Sequence, residues 1–149
     1  MRQEPWEKTL EEIAFWKHLG IRVEYIEGGR AALRLPFKEE LGQYYANMHG
    51  GALAALLDAA GAVALLSVVG NRTVNTVELK INYLKPVTPD QAGVTAHGTV
   101  ARAGRSIGVC TIEVKNDDES LVATGIATYM VMPGASSGHE NRDERRNGS

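Results

Sequence analysis

Residues 52–69 read ALAALLDAAGAVALLSVV, apolar throughout except for Asp58 and Ser67. A helix that is apolar on every side must be wrapped by the rest of its chain or left to a bilayer. Its richness in alanine and glycine, the carboxylate at Asp58 and the strand-like sequence that follows favour wrapping. The expectation is a buried central helix with no membrane partner. The carboxylate then needs a reason of its own. An ionised group buried without partners is costly, and the usual remedies are a hydrogen-bond partner, a metal or chemistry.

The rest of the chain is able to do the wrapping. At 149 residues it fits one domain with a real core and little room for a second. Apolar residues make up 44% and charged residues 23%, ordinary for a soluble globular protein. A net charge of −2 carries no nucleic-acid footprint. The single cysteine, Cys110, excludes an intrachain disulfide and suits a reducing compartment. The first residues (MRQEPWEKTLEEIAFW) lack the apolar stretch of a signal peptide, so a cytoplasmic location is expected.

Residues 5–18 carry Trp6, Leu10, Ile13 and Lys17 at helical spacing, and Gly20 closes that element. Two alternating segments, 21–27 and 30–35, flank Gly28-Gly29, a two-residue hairpin signal. A loop over 37–48 leads into the apolar helix, which runs from about residue 50 to 68 and stops at Gly70-Asn71. Four strands follow, over 74–84, 93–102, 106–116 and 121–132. In the first of these, Val77, Leu79, Ile81 and Tyr83 alternate with Thr76, Glu78, Lys80 and Asn82. This order describes an α+β domain over 1–133, including an N-terminal helical segment at 1–19: one antiparallel sheet around a hydrophobic helix. The polar tail at 134–149 is expected to be disordered.

A helical wheel places Gly51, Ala54, Ala55, Gly61, Ala62 and Leu65 beside Asp58, with Leu53, Leu56, Leu57 and Val63 opposite. The bulky side suits a sheet. The small side leaves room for another backbone or a slender ligand. At the start of the helix, His49-Gly50-Gly51 offers uncovered N–H groups at the positive end of the helix dipole. Such a terminus is either a flexible joint or a place to hold a developing oxyanion. Gly50 and Asp58 are eight residues apart, about 12 Å along a helix. One chain cannot bring both to one carbon, whereas two antiparallel helices packed along their small faces can.

These residues resemble the hotdog-fold acyl-CoA thioesterases, in the branch of the phenylacetate-pathway thioesterase and the mammalian thioesterase-superfamily-member proteins. The likeness rests on His49-Gly50-Gly51 followed by Leu57-Asp58, on Thr76-Val77-Glu78-Leu79 leading to Asn82-Tyr83-Leu84-Lys85-Pro86, and on Gly104-Arg105-Ser106. It implies a hotdog fold and hydrolysis of an acyl-CoA thioester to free acid and coenzyme A. By the same resemblance Asp58 matches the general base or nucleophile, Gly50 the oxyanion donor from the partner subunit, and Thr76 a position that orients water. Relatives often carry Asn six residues before the histidine; here Gln43 stands there, with Asn47 closer to the helix. Arg102 and Arg105 flank a turn and read by default as solvated strand ends; by the resemblance coenzyme A phosphates would meet this region with Ser106, and Asn47, Gly51 and Tyr45 would also lie on the substrate side. No metal or organic cofactor is implied, coenzyme A being part of the substrate, and a homo-oligomer built as a dimer of dimers is.

Other readings compete. A hydratase on the same scaffold would want a catalytic His paired with the acid, and no Asp-x-x-x-x-His pattern occurs. A non-catalytic acyl-CoA binding protein would tolerate loss of the carboxylate, which is intact. His49 reads as a loop-fixing residue or a base. His18 and His97 lack ligand-spaced partners. Tyr44 and Tyr45 line an acyl pocket or cap the core. Ser67 has no Gly-x-Ser-x-Gly context. Thr76 carries a conflict: alternation puts it with Glu78 and Lys80, yet a role beside Asp58 requires it to face the helix.

Overall fold

The computed structural model describes residues 5–134. Helices α1 (Pro5–Glu11) and α2 (Ala14–Leu19) precede strands β1 (Arg22–Glu27) and β2 (Arg30–Pro36). A short 3-10 turn (Glu39–Leu41) leads to α3 (Gly50–Val69), followed by β3 (Thr73–Tyr83), β4 (Gly93–Ala103), β5 (Ile107–Asn116) and β6 (Leu121–Met132). The six strands form one antiparallel sheet in the order β1-β2-β4-β5-β6-β3. Helix α3 lies across its inner face. This is the hotdog architecture expected from the sequence. The polar tail falls almost entirely outside the described residues.

The β1–β2 turn is the one Gly28-Gly29 foretells. Both glycines have positive φ, 53° and 87°, the combination a tight two-residue hairpin requires. Ser67, the second polar residue of the apolar run, holds this turn to the helix. Its hydroxyl donates to the Ala64 carbonyl at 2.6 Å and accepts the Gly29 N–H at 2.8 Å. It is a structural strut.

The N-terminal segment departs from the expected single helix, because the chain breaks at Glu12-Ile13. Tertiary demand supplies a reason. The Glu11 carboxylate accepts the Val23 N–H of edge strand β1 at 2.8 Å, and the break lets α2 turn so that Leu19 is buried and Trp16 packs on the core.

Leu56, Leu57, Val63 and Leu65 of α3 are inaccessible to solvent, each contributing about 2 kcal/mol of burial. Ala54, Ala55, Asp58 and Ala62 form a half-exposed stripe on the side the sheet leaves open. Two residues assigned to that stripe by the wheel belong elsewhere. Leu65 sits fully buried over Gly108 and Gly61 faces Tyr129, both against the sheet. The helix approaches closely because side chains are missing where it crosses. A Cβ on Gly98 would stand 2.5 Å from the Ala60 carbonyl oxygen, and one on Gly108 would overlap Leu65.

Two measurements check this packing. Gly98→Ala should cost about 1–3 kcal/mol in urea unfolding, since main chain of the helix must move to admit one methyl group. Cys110 is fully buried with its thiol on the Gly61 carbonyl at 3.3 Å, and burial pushes its pKa up to about 11. The folded protein should therefore fail to react with an aromatic disulfide at pH 8 and react once denatured.

Candidate active site

Asp58 occupies the middle of α3, half-exposed at the border between the sheet-covered side and the open stripe. Its Oδ1 accepts a hydrogen bond from Thr76 Oγ1 at 2.7 Å. A β-bulge settles how Thr76 reaches it. Along β3 the pairing with β6 runs Thr76↔Tyr129 and then Glu78↔Thr128, so Val77 is the extra residue. Alternation resets there. Thr76 faces the helix together with Leu79 and Ile81, while Val77 turns outward and is 58% exposed. The expected single face holding Val77, Leu79 and Ile81 is thereby corrected.

The cross-strand partner of Thr76 reaches the same residue. Tyr129 is fully buried, and its hydroxyl donates to the main-chain carbonyl of Asp58 at 2.8 Å. Burial and then the neighbouring Asp58 charge push the phenol far above its ordinary range, so it remains a neutral donor. Sequence reading missed Tyr129, since an aromatic in the last strand looks like any core residue. Its only signal was Gly61 within an otherwise alanine-rich helix.

At the start of α3 the donors are apportioned one by one. The His49 carbonyl accepts the Ala52 N–H at 3.0 Å and the Leu53 N–H at 3.3 Å. The Gly51 N–H donates to His49 Nδ1 at 2.7 Å, which makes His49 the N-cap. The Gly50 N–H alone in this turn has no acceptor among the described residues. Tyr83, a second residue missed by sequence reading, donates its hydroxyl to the Gly50 carbonyl at 2.8 Å and covers Gly50 with its ring. Gly50 opens on a cleft of about 330 Å³ bordered by Gln43, Asn47, Leu53, Tyr83 and Pro86. Both candidate amides lie there, although the Gln43 side-chain oxygen is engaged by the Tyr45 N–H. Tyr44 and Tyr45 are 93% and 77% exposed, so neither caps the core.

Asp58 is not on this cleft. In a straight helix, residues 50 and 58 are separated by about 12 Å. One chain therefore presents two separate groups: a carboxylate with its threonine, and a free N–H beside two amides.

Arg102, Arg105 and Ser106 surround the β4–β5 turn. Thr76, Tyr129, Gly108 and Ala103 lie in register across four neighbouring strands, which sets this turn roughly 14 Å across the sheet from Thr76. Arg105 and Ser106 are exposed, and the Arg105 carbonyl accepts from the Arg72 guanidinium. Among the described residues there is no group of three or more His, Cys, Asp or Glu placed to hold a metal ion.

The sequence profile of the thioesterase superfamily matches residues 45–123, spanning the Gly50 turn, Asp58 and Thr76. This chain belongs to the thioesterase superfamily. It is similar to a protein of Saccharolobus solfataricus that carries a provisional esterase name, 34% identical over 130 residues, covering 84% of this chain and 91% of that one. It is also similar to the medium/long-chain acyl-CoA thioesterase YigI of Salmonella typhimurium, 29% identical over 143 residues, with 84% and 90% covered. Among solved structures, the PaaI protein of the Escherichia coli phenylacetic acid degradation operon matches with a TM-score of 0.77 at 27% identity, covering 85% of this chain and 90% of that one.

Within this superfamily the chain is a thioester hydrolase, and Gly50, Asp58 and Thr76 fall inside the matched region while Gln43 lies just before it. Replacing Thr76 by Val keeps its shape and strand propensity but removes the hydrogen bond to the carboxylate. Thioester turnover should fall about ten- to hundredfold with an unchanged circular dichroism spectrum, as loss of a hydrogen bond to a charged group implies.

Proposed function

We propose that this thioesterase acts on acyl-CoA, with Asp58 as general base and the Gly50 N–H of a partner subunit as oxyanion donor. One observation carries the reading: a half-exposed carboxylate on an otherwise apolar helix, fixed by a 2.7 Å hydrogen bond from Thr76. That bond occupies Oδ1 and leaves Oδ2 for water. The Thr76 hydroxyl keeps lone pairs able to accept from the same water.

In this reading Asp58 takes a proton from water as the oxygen attacks the thioester carbonyl carbon. The carbonyl oxygen becomes an oxyanion beside the Gly50 N–H, which the N-cap of His49 leaves unengaged. Collapse of the tetrahedral intermediate breaks the C–S bond, and Asp58 returns its proton to the departing thiolate of coenzyme A. Base and donor are too far apart within one helix, so the site is composite. It forms where two copies of α3 run antiparallel along their small stripes, in a homodimer that pairs again to a tetramer. Gln43 and Asn47 border the Gly50 cleft and supply a polar contact to the thioester there. The name of the YigI relative supports an acyl-CoA substrate, and the cationic turn at Arg102 and Arg105 suits its phosphates. The chemistry calls on no metal or organic cofactor.

The test is free-thiol release from a panel of aliphatic and aromatic acyl-CoAs, comparing the wild type with Asp58→Asn. Turnover should fall about hundredfold or more with the oligomer retained. A wild type silent on every acyl-CoA would overturn the substrate class. Equal turnover in the two proteins would remove Asp58 from the centre of the reaction.

A further inference from the structure

We propose that Tyr129 is a positioning residue for Asp58, its hydroxyl tying the helix main chain at residue 58 to the strand beside Thr76. The inference rests on Asp58 being the base. Thr76 and Tyr129 are opposite each other across β3 and β6, on the same face of the sheet. One donates to the Asp58 carboxylate at 2.7 Å and the other to the Asp58 carbonyl at 2.8 Å. Side chain and main chain of a single residue are thus held by two adjacent strand positions. The carboxylate cannot slide or rotate with the helix without breaking one of the two bonds.

A phenylalanine would fill the same core volume, so packing alone does not account for the hydroxyl. Nor does the neighbourhood accept it freely. A Cβ on Gly61 would overlap the Tyr129 oxygen, and glycine is the poorest interior helix residue after proline. The helix concedes propensity at Gly61, three residues after the carboxylate, and the space released is the space the hydroxyl enters. There the hydroxyl donates to the Asp58 carbonyl.

The consequence is kinetic. Substrate contacts at the Gly50 cleft and at the arginine turn do not involve Tyr129, so its loss should affect the chemical step and leave binding alone. Tyr129→Phe keeps the ring buried, and Gly61→Ala displaces the hydroxyl while keeping it in the chain. Each should lower kcat per folded molecule about tenfold, with KM within about twofold, as expected for a base held out of line. In the double variant the overlap with the hydroxyl is gone and only 3.2 Å approaches to the ring and to Ile112 Cδ1 are left, so its kcat should lie within about twofold of that of Tyr129→Phe alone.

A Tyr129→Phe enzyme with wild-type kcat would overturn the inference. So would losses that multiply in the double variant, or activity falling only in proportion to folded protein, measured by thermal midpoint. Asp58→Asn assayed in parallel separates the two levels. If it is inactive while Tyr129→Phe is normal, positioning alone is wrong; if it is as active as the wild type, the base assignment fails and the positioning with it.

Discussion

The distance between α3 and the sheet is set by atoms that are missing. At Gly98 the strand passes the Ala60 carbonyl with no room for a Cβ, and at Gly108 the space is taken by Leu65. Any side chain at these crossings would lift the helix off the sheet. Three features depend on the close approach: complete burial of the leucines, the reach of Thr76 to the Asp58 carboxylate, and the reach of Tyr129 to its carbonyl. Hydrogen bonds weaken steeply beyond their normal length, so a lift of one ångström would lose both contacts to Asp58 while leaving the hydrophobic core largely in place. The glycines therefore matter as much to the site as to stability.

The sheet covers one side of α3 and leaves the other to a stripe of alanines with a carboxylate along its border. Placing Asp58 on the border resolves the cost that its sequence context raises. Half-exposed, it keeps part of its hydration, and the bond from Thr76 replaces some of what burial removes. At the other end of the same helix, the donors are apportioned by His49. By capping Gly51 it leaves the Gly50 N–H without an acceptor among the described residues, at a terminus where the helix dipole already favours negative charge. One helix thus carries a carboxylate and an unengaged terminal N–H. Its own rigidity keeps them apart.

Much of this was legible in the sequence because it follows from period. The Gly28-Gly29 turn, the span of α3 and the four later strands come out within a residue or two. Asp58 stood out because a charge in an apolar run has few explanations. What period cannot show is where it breaks. The bulge at Val77 inverts the face of Thr76, and a strict alternation assigned that residue to the wrong side. The wheel sorted α3 by size but could not say what lies opposite a glycine, so Gly61 was placed on the open stripe when it faces Tyr129. Tyr83 and Tyr129 stayed hidden for the same reason: an aromatic hydroxyl acquires its role from a partner distant in sequence. The Glu12-Ile13 break answers to a strand edge, not to helix propensity.

The bulge at Val77 also separates the heredity of the chemistry from that of the fold. Removing one residue there would restore regular alternation, and Thr76 or Glu78 would exchange sides according to which flank absorbed the shift. The strands beyond would still pair, and the leucines under the sheet would still be buried. A hotdog domain can in this way lose or regain the hydroxyl that meets its helix carboxylate through a single-codon insertion or deletion in an edge strand. Descendants of one scaffold can then differ in what surrounds that carboxylate, with no substitution in the core.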